Sequence, residues 1–60
     1  MRLIKLKEVM QKTSLGHSSI YKFIADGTFP KQVSLGAKSV AWVESEVDDW
    51  IMEMIRRRKL

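Results

Sequence analysis

Three stretches of this chain repeat apolar residues at intervals of three and four, and one stretch between them alternates apolar with polar. Leu6, Val9 and Met10 fall at i, i+3 and i+4, which predicts a helix over roughly Leu6 to Lys12. Lys5, Lys7, Glu8, Gln11 and Lys12 then take its solvent side. Ile20, Phe23 and Ile24 repeat the spacing and predict a second helix over about 17–26. The strongest periodicity is Val47, Trp50, Ile51, Met54 and Ile55, which predicts a third. In the middle, Val33 and Leu35 alternate with Gln32 and Ser34, and Val40 and Trp42 with Ser39 and Ala41. That period predicts a hairpin over about 32–43 with one buried face, a turn at Gly36-Ala37-Lys38-Ser39, and Trp42 as its anchor on the helices. Leu3 and Ile4 are extended but too short to assign as a strand.

The boundaries carry chemistry of their own. Thr13-Ser14-Leu15-Gly16 separates the first two helices, with Gly16 as the expected N-cap and Ser14 near enough to help satisfy free N–H groups. Two helices joined by about four residues that include glycine are the signature of a helix-turn-helix. Asp26-Gly27 stops the second helix, glycine taking the left-handed position. Pro30 prevents its continuation. Ser45-Glu46-Val47-Asp48 has the spacing of a capping box for the third helix, and acids in its first turn with bases in its last suit the helix dipole. The fold expected is mainly α with a small antiparallel β-hairpin: a three-helix winged helix-turn-helix filling residues 1–60 as one domain. Its expected core is Leu6, Val9, Met10, Leu15, Ile20, Phe23, Ile24, Phe29, Val40, Trp42, Val47, Trp50 and Ile51.

Composition narrows the function. Sixty residues hold a single core, and 45% apolar content is enough to form one. Cysteine is absent, so disulfides and thiolate metal sites are excluded. No apolar run reaches the roughly 18 residues of a membrane span, and Met1-Arg2-Leu3-Ile4-Lys5 is charged too early for a secretory signal. A cytoplasmic protein is expected. Residues 1–43 carry seven Lys/Arg against Glu8 and Asp26, whereas residues 44–55 carry Glu44, Glu46, Asp48, Asp49 and Glu53 with no base. Such polarity attracts a polyanion from one side. Catalysis has little to work with: His17 is the lone histidine, with no carboxylate beside it in sequence. The acids follow no calcium-loop spacing and are accounted for by helix-start electrostatics. No enzyme, cofactor, metal or small-molecule substrate is expected.

The second helix has the face that duplex DNA requires. Ser18, Lys22 and Ala25 point away from its apolar stripe, with Ser19 and Tyr21 on the flanks and no carboxylate before Asp26. Phosphates repel carboxylates, and base edges are read by donors and acceptors of this kind. In a helix-turn-helix the start of the second helix meets the bases, which here means His17, Ser18, Ser19, Tyr21 and Lys22. Lys31 at the base of the hairpin and Lys38-Ser39 at its tip stand where a wing would meet phosphate. The plainer reading is that the serines start a helix and the lysines are merely solvated; the combination of elements favours the first. Arg56-Arg57-Arg58-Lys59 either complements the helix dipole or contacts phosphate, and Trp50, Met52 and Met54 are core or dimer-contact residues.

Taken in order, Leu6-Lys7-Glu8-Val9, Thr13-Ser14-Leu15, Ser19-Ile20-Tyr21, Ile24, Gly27, Phe29-Pro30-Lys31, Val40-Ala41-Trp42 and Glu46-Val47-Asp48-Asp49-Trp50-Ile51 resemble the AlpA family over about residues 3–55. These are small prophage-encoded transcriptional regulators, similar also to excisionases and to MerR-type DNA-binding heads. The resemblance implies a winged helix-turn-helix that regulates genes of a mobile element, often an integrase, or assists excision. By position, Ser18, Ser19, Tyr21 and Lys22 would lie on the recognition helix and Lys38 and Ser39 on the wing. Two departures stand out. Gly16-His17 replaces a common Ser cap followed by Arg, and Lys38-Ser39-Val40-Ala41 lacks the Arg often found before the Trp strand. Each removes a guanidinium able to grip phosphate or guanine with two bonds. The expected function is therefore sequence-specific binding of double-stranded DNA, on the nucleoid when bound. An integrase or recombinase, or a second copy of the chain, would be a further partner. The alternatives are an excisionase-like factor that bends DNA, and a protein-interaction module built on the acidic third helix.

Overall fold

The computed structural model describes residues 1–58. The elements run β1 (Leu3–Ile4), α1 (Leu6–Thr13), α2 (His17–Ala25), β2 (Val33–Gly36), β3 (Ser39–Val43) and α3 (Glu44–Arg57). The hairpin has the expected turn, with Ala37 and Lys38 between Gly36 and its partner Ser39. It is also more than a hairpin. Leu3 and Ile4 pair antiparallel with Val43 and Trp42, giving a three-stranded sheet in the order β1-β3-β2. Two strands alone are marginal in water, and a third strand backed by helices supplies what they lack.

The core forms where α1, α2 and α3 meet β3. Ile4, Val9, Ile20, Phe29, Trp42 and Val47 are buried, and Leu6, Met10, Leu15, Phe23, Ile24, Val40, Trp50 and Ile51 pack partly buried around them. Every residue expected in the core is there, and Ile4 joins it. Ala41 and Trp42 are both buried although neighbours on a strand point to opposite faces. The central strand is thus covered on both sides at this point. Edge strand β2 is not: Val33 and Leu35, expected on a buried face, are exposed. Val33 only borders an open groove beside Glu46 and Asp49 of α3, and the register slips between Ser34 and Gly36, so Leu35 sits in a bulge.

Helix termini differ from expectation in two places. α3 starts one residue before Ser45, directly from β3, and no side chain caps it. The Glu44 amide donates to the Arg2 carbonyl at 2.8 Å, so a neighbouring backbone carbonyl satisfies one donor at the start of α3. Ser14 makes no cap for α2 either. It takes the left-handed position at the end of α1, φ 61°, and its amide donates to Met10 O at 2.8 Å. Thr13 holds the turn: its hydroxyl donates to Val9 O and accepts from the Leu15 amide. At the end of α2, Gly27 has φ 79° as expected, with Gly27 N donating to Ile24 O and Thr28 N to Phe23 O. This pair of bonds is the Schellman arrangement.

Two indoles then fasten the loop that leads to the wing. Trp42 Nε1 donates to Pro30 O at 3.1 Å and Trp50 Nε1 to Thr28 O at 2.6 Å. Phe29 lies edge-on to Trp50, ring centres 4.9 Å apart. The path from α2 to β2 is therefore set by one tryptophan from the sheet and one from α3. Past Ile51 the apolar stripe of α3 runs out of partners: Met52, Met54 and Ile55 are exposed, so neither methionine belongs to the core.

Candidate nucleic-acid interface

Four residues shape α2 from inside. Ile20 is fully buried, Phe23 and Ile24 are partly so, and Leu15 plugs the turn before them. With that stripe inward, His17, Ser18, Tyr21, Lys22 and Ala25 are exposed and Ser19 is half-buried on the flank. The exposed face carries Lys22 and no carboxylate until Asp26. Its backbone N-terminus is open as well: Gly16 caps α2 without a side-chain bond, leaving first-turn N–H groups to a ligand or water. Tyr21 has a second role that its sequence position did not reveal. Its ring meets Trp42 edge-on at 6.3 Å, joining the outer flank of α2 to the sheet.

The wing presents Lys38 at the exposed tip and Ser39, half-buried, at the start of β3. Ser39 is engaged: Lys5 Nζ donates to its Oγ at 2.9 Å across 34 positions of sequence. Lys5 therefore lies against the wing, not simply on the solvent side of α1. Lys31 stands elsewhere. It lines an open groove of about 570 Å³ with Pro30, Val33, Val43, Glu46 and Asp49. Two carboxylates in the same groove offset its charge, which makes it a poorer phosphate contact than Lys22 or Lys38.

Charge is sorted by ion pairs that sequence could not anticipate. Arg2 meets Glu8 at 2.8 Å and Glu44 at 2.7 Å, and Lys12 meets Glu44 at 3.0 Å and Asp48 at 2.8 Å. This network joins the residue before β1 to α1 and α3 and consumes two of the cations counted in residues 1–43. Among the described residues, Lys5, Lys7, Lys22, Lys31 and Lys38 enter no ion pair. Arg56 and Arg57 turn back toward Glu53 at 3.8 and 3.7 Å. Arg58 follows the last turn, and Lys59, the end of the basic tail, lies outside the described residues. No group of three or more metal-ligating side chains occurs among the described residues, and no helix there is long and apolar enough to cross a membrane.

Glu44 is the hub of that network, and it sets an acid limit. The hydrogen bond from Lys12, with the charge of Arg2 behind it, holds its carboxyl below the ordinary value of 4.5. A lowered folded-state pKa contributes stability above the unfolded value, and that contribution is lost as pH falls through the folded one. The thermal midpoint should hold from neutrality to about pH 5 and drop below about pH 4.5, and Glu44→Gln should flatten that limb. Equal acid losses in the two proteins, followed by circular dichroism, would show that Glu44 does not set it.

The chain also matches known proteins in sequence. The family model described as "Prophage CP4-57 regulatory protein (AlpA)" matches residues 2–56. The chain is similar to "Uncharacterized protein ORF88" of Enterobacteria phage P4, 48% identical over 58 residues. That match covers 97% of this chain and 66% of the phage protein, just under two thirds of its length. It is also similar to the protein described as "DNA-binding transcriptional activator AlpA" of Escherichia coli (strain K12), 40% identical over 58 residues. There the match covers 87% of this chain and 83% of the relative. A family match from β1 to the last turn of α3 takes in all six elements, and the chain belongs to the family of the prophage CP4-57 regulatory protein, AlpA.

Proposed function

We propose that this chain binds double-stranded DNA in a sequence-specific way and regulates transcription of genes of a prophage or mobile element, integrase or excision genes among them. The exposed face of α2, free of carboxylates and carrying Ser18 and Lys22 with half-buried Ser19 on its flank, carries this reading. In it, α2 enters the major groove with His17, Ser18, Ser19, Tyr21 and Lys22, and the wing places Lys38 on the adjacent backbone, with Ser39 beside it. Lys31 is the weakest of the proposed contacts because Glu46 and Asp49 share its groove. The E. coli relative's description as a DNA-binding activator supports the same assignment. The site of action is the cytoplasm, on the nucleoid when bound.

The acidic-helix alternative finds less support. Glu44, Asp48 and Glu53 already face cations of this chain, leaving Glu46 and Asp49 for a basic partner. The reading is tested by fluorescence anisotropy against duplexes from the gene's own upstream region and against random duplex, across a salt series. The expected result is preference for one upstream duplex, with log K falling by about 0.9 per neutralised phosphate per unit log salt. Salt-dependent binding without preference, together with strong bending, would replace regulation with an architectural role. Absence of binding at low salt would overturn the DNA reading.

A further inference from the structure

One contact links the start of α1 to the wing, and it has an unusual donor balance. Lys5 is the N-cap residue of α1, its carbonyl accepting from the Val9 amide at 3.0 Å, and it follows directly on Ile4, which pairs with Trp42. Ser39 is fixed from the other side by its pairing with Gly36 across the turn. Both backbones are thus held, and the exposed side-chain bond between them, Lys5 Nζ to Ser39 Oγ at 2.9 Å, joins two anchored points.

An ammonium has three donors, and only one of Lys5's is used. Among the described residues no carboxylate pairs with it, in contrast to Arg2 and Lys12, which are both engaged by acids. The serine oxygen is the acceptor in this bond, so its own hydrogen stays free, and among the described residues it donates to nothing. Two N–H groups and one O–H therefore sit on one exposed spot around a net positive charge. An anion with several acceptor oxygens completes such a spot, and phosphate meets charged donors of this kind with strong hydrogen bonds.

We propose that Lys5 and Ser39 form a seat for one backbone phosphate of the bound duplex, with Lys38 at the neighbouring turn. The assignment rests on the DNA-binding reading and adds to it a residue that the helical periodicity had placed on a solvent face. Along β3, Ser39 lies three residues from Trp42, the residue that Tyr21 touches, or about 10 Å at strand rise.

The test compares wild type, Lys5→Gln, Ser39→Ala, the double variant and Lys7→Gln, which removes a nearby unpaired charge. Anisotropy on the preferred duplex is read across a salt series, with thermal melts of each protein. Lys5→Gln should reduce the salt slope by about 0.9 and lower affinity several-fold at moderate salt. Ser39→Ala should weaken binding about two- to tenfold with the slope unchanged. The double variant should bind like Lys5→Gln alone, because one phosphate is lost in either case. Equal slopes for Lys5→Gln and Lys7→Gln would overturn the seat, as would a lower melting temperature for Lys5→Gln with an unchanged slope. Saturation of the Lys5 and Ser39 resonances by submillimolar inorganic phosphate would make it a free-anion site and overturn the backbone assignment. Failure of wild type to bind any duplex would sink the DNA reading itself. A Lys22→Ala response without a Lys5→Gln response would sink only the seat.

Discussion

Trp42→Ala is expected to abolish cooperative folding at ordinary temperatures. The indole is fully buried, donates Nε1 to Pro30 O at 3.1 Å, and receives Tyr21 on its edge. Truncating a large buried aromatic costs about 3–5 kcal/mol. Whole domains are stable by only about 5–15 kcal/mol, and one of this size belongs at the low end. Loss of the indole would also free the loop at Pro30 that sets the wing's position. Urea titration and thermal melting by circular dichroism check this directly. Trp42→Phe should retain a cooperative transition at lower midpoint, since it keeps most of the buried ring but leaves the Pro30 carbonyl without its donor. A Trp42→Ala protein melting within a few degrees of wild type would show that the sheet is anchored elsewhere.

Lys22→Glu should leave folding intact and lower affinity for the preferred duplex by roughly tenfold to a hundredfold. Lys22 is exposed and enters no ion pair among the described residues, so the folded state loses no ion pair by its removal. A good contact to DNA is worth about 1–3 kcal/mol, and a carboxylate in its place adds repulsion from the phosphates. Lys22→Ala isolates the first part: a loss of about one in the salt slope, nearly uniform across duplexes, marks a phosphate contact. A loss confined to the preferred duplex marks a base contact. Wild-type affinity in Lys22→Glu would exclude the outer face of α2 as the binding surface.

The parts legible in the sequence were those that repeat along one element. Ile20, Phe23 and Ile24 announce their helix face because burial on a helix has a fixed period, and the same holds for Val9 and Val47. Gly27 announces its turn because few residues tolerate its backbone angle. What escaped depended on neighbours distant in sequence. Ile4 enters the core only because β1 finds the free edge of β3, a pairing that two residues cannot signal by period. Val33 and Leu35 alternate as a buried strand should, yet both stay exposed at the sheet's edge. Ser45 has the spacing of a cap, but β3 runs straight into α3 and Arg2 O takes up the Glu44 amide. On the candidate interface, periodicity picked out the exposed face of α2. It could not show that Arg2 and Lys12 are committed to carboxylates, or that Lys5 reaches Ser39.

The bulge in β2 also bears on how this protein behaves in concentrated solution. β2 is an edge strand with exposed Val33 and Leu35, and open edges of that kind invite another chain to add a strand. The irregularity between Ser34 and Gly36 breaks the regular ladder a newcomer would need. Lys31 precedes the strand and Lys38 follows it, so both approaches to the edge are charged. Those lysines thus guard against aggregation whatever else they contact. A wing stripped of its positive charge would lose colloidal protection along with any hold on phosphate.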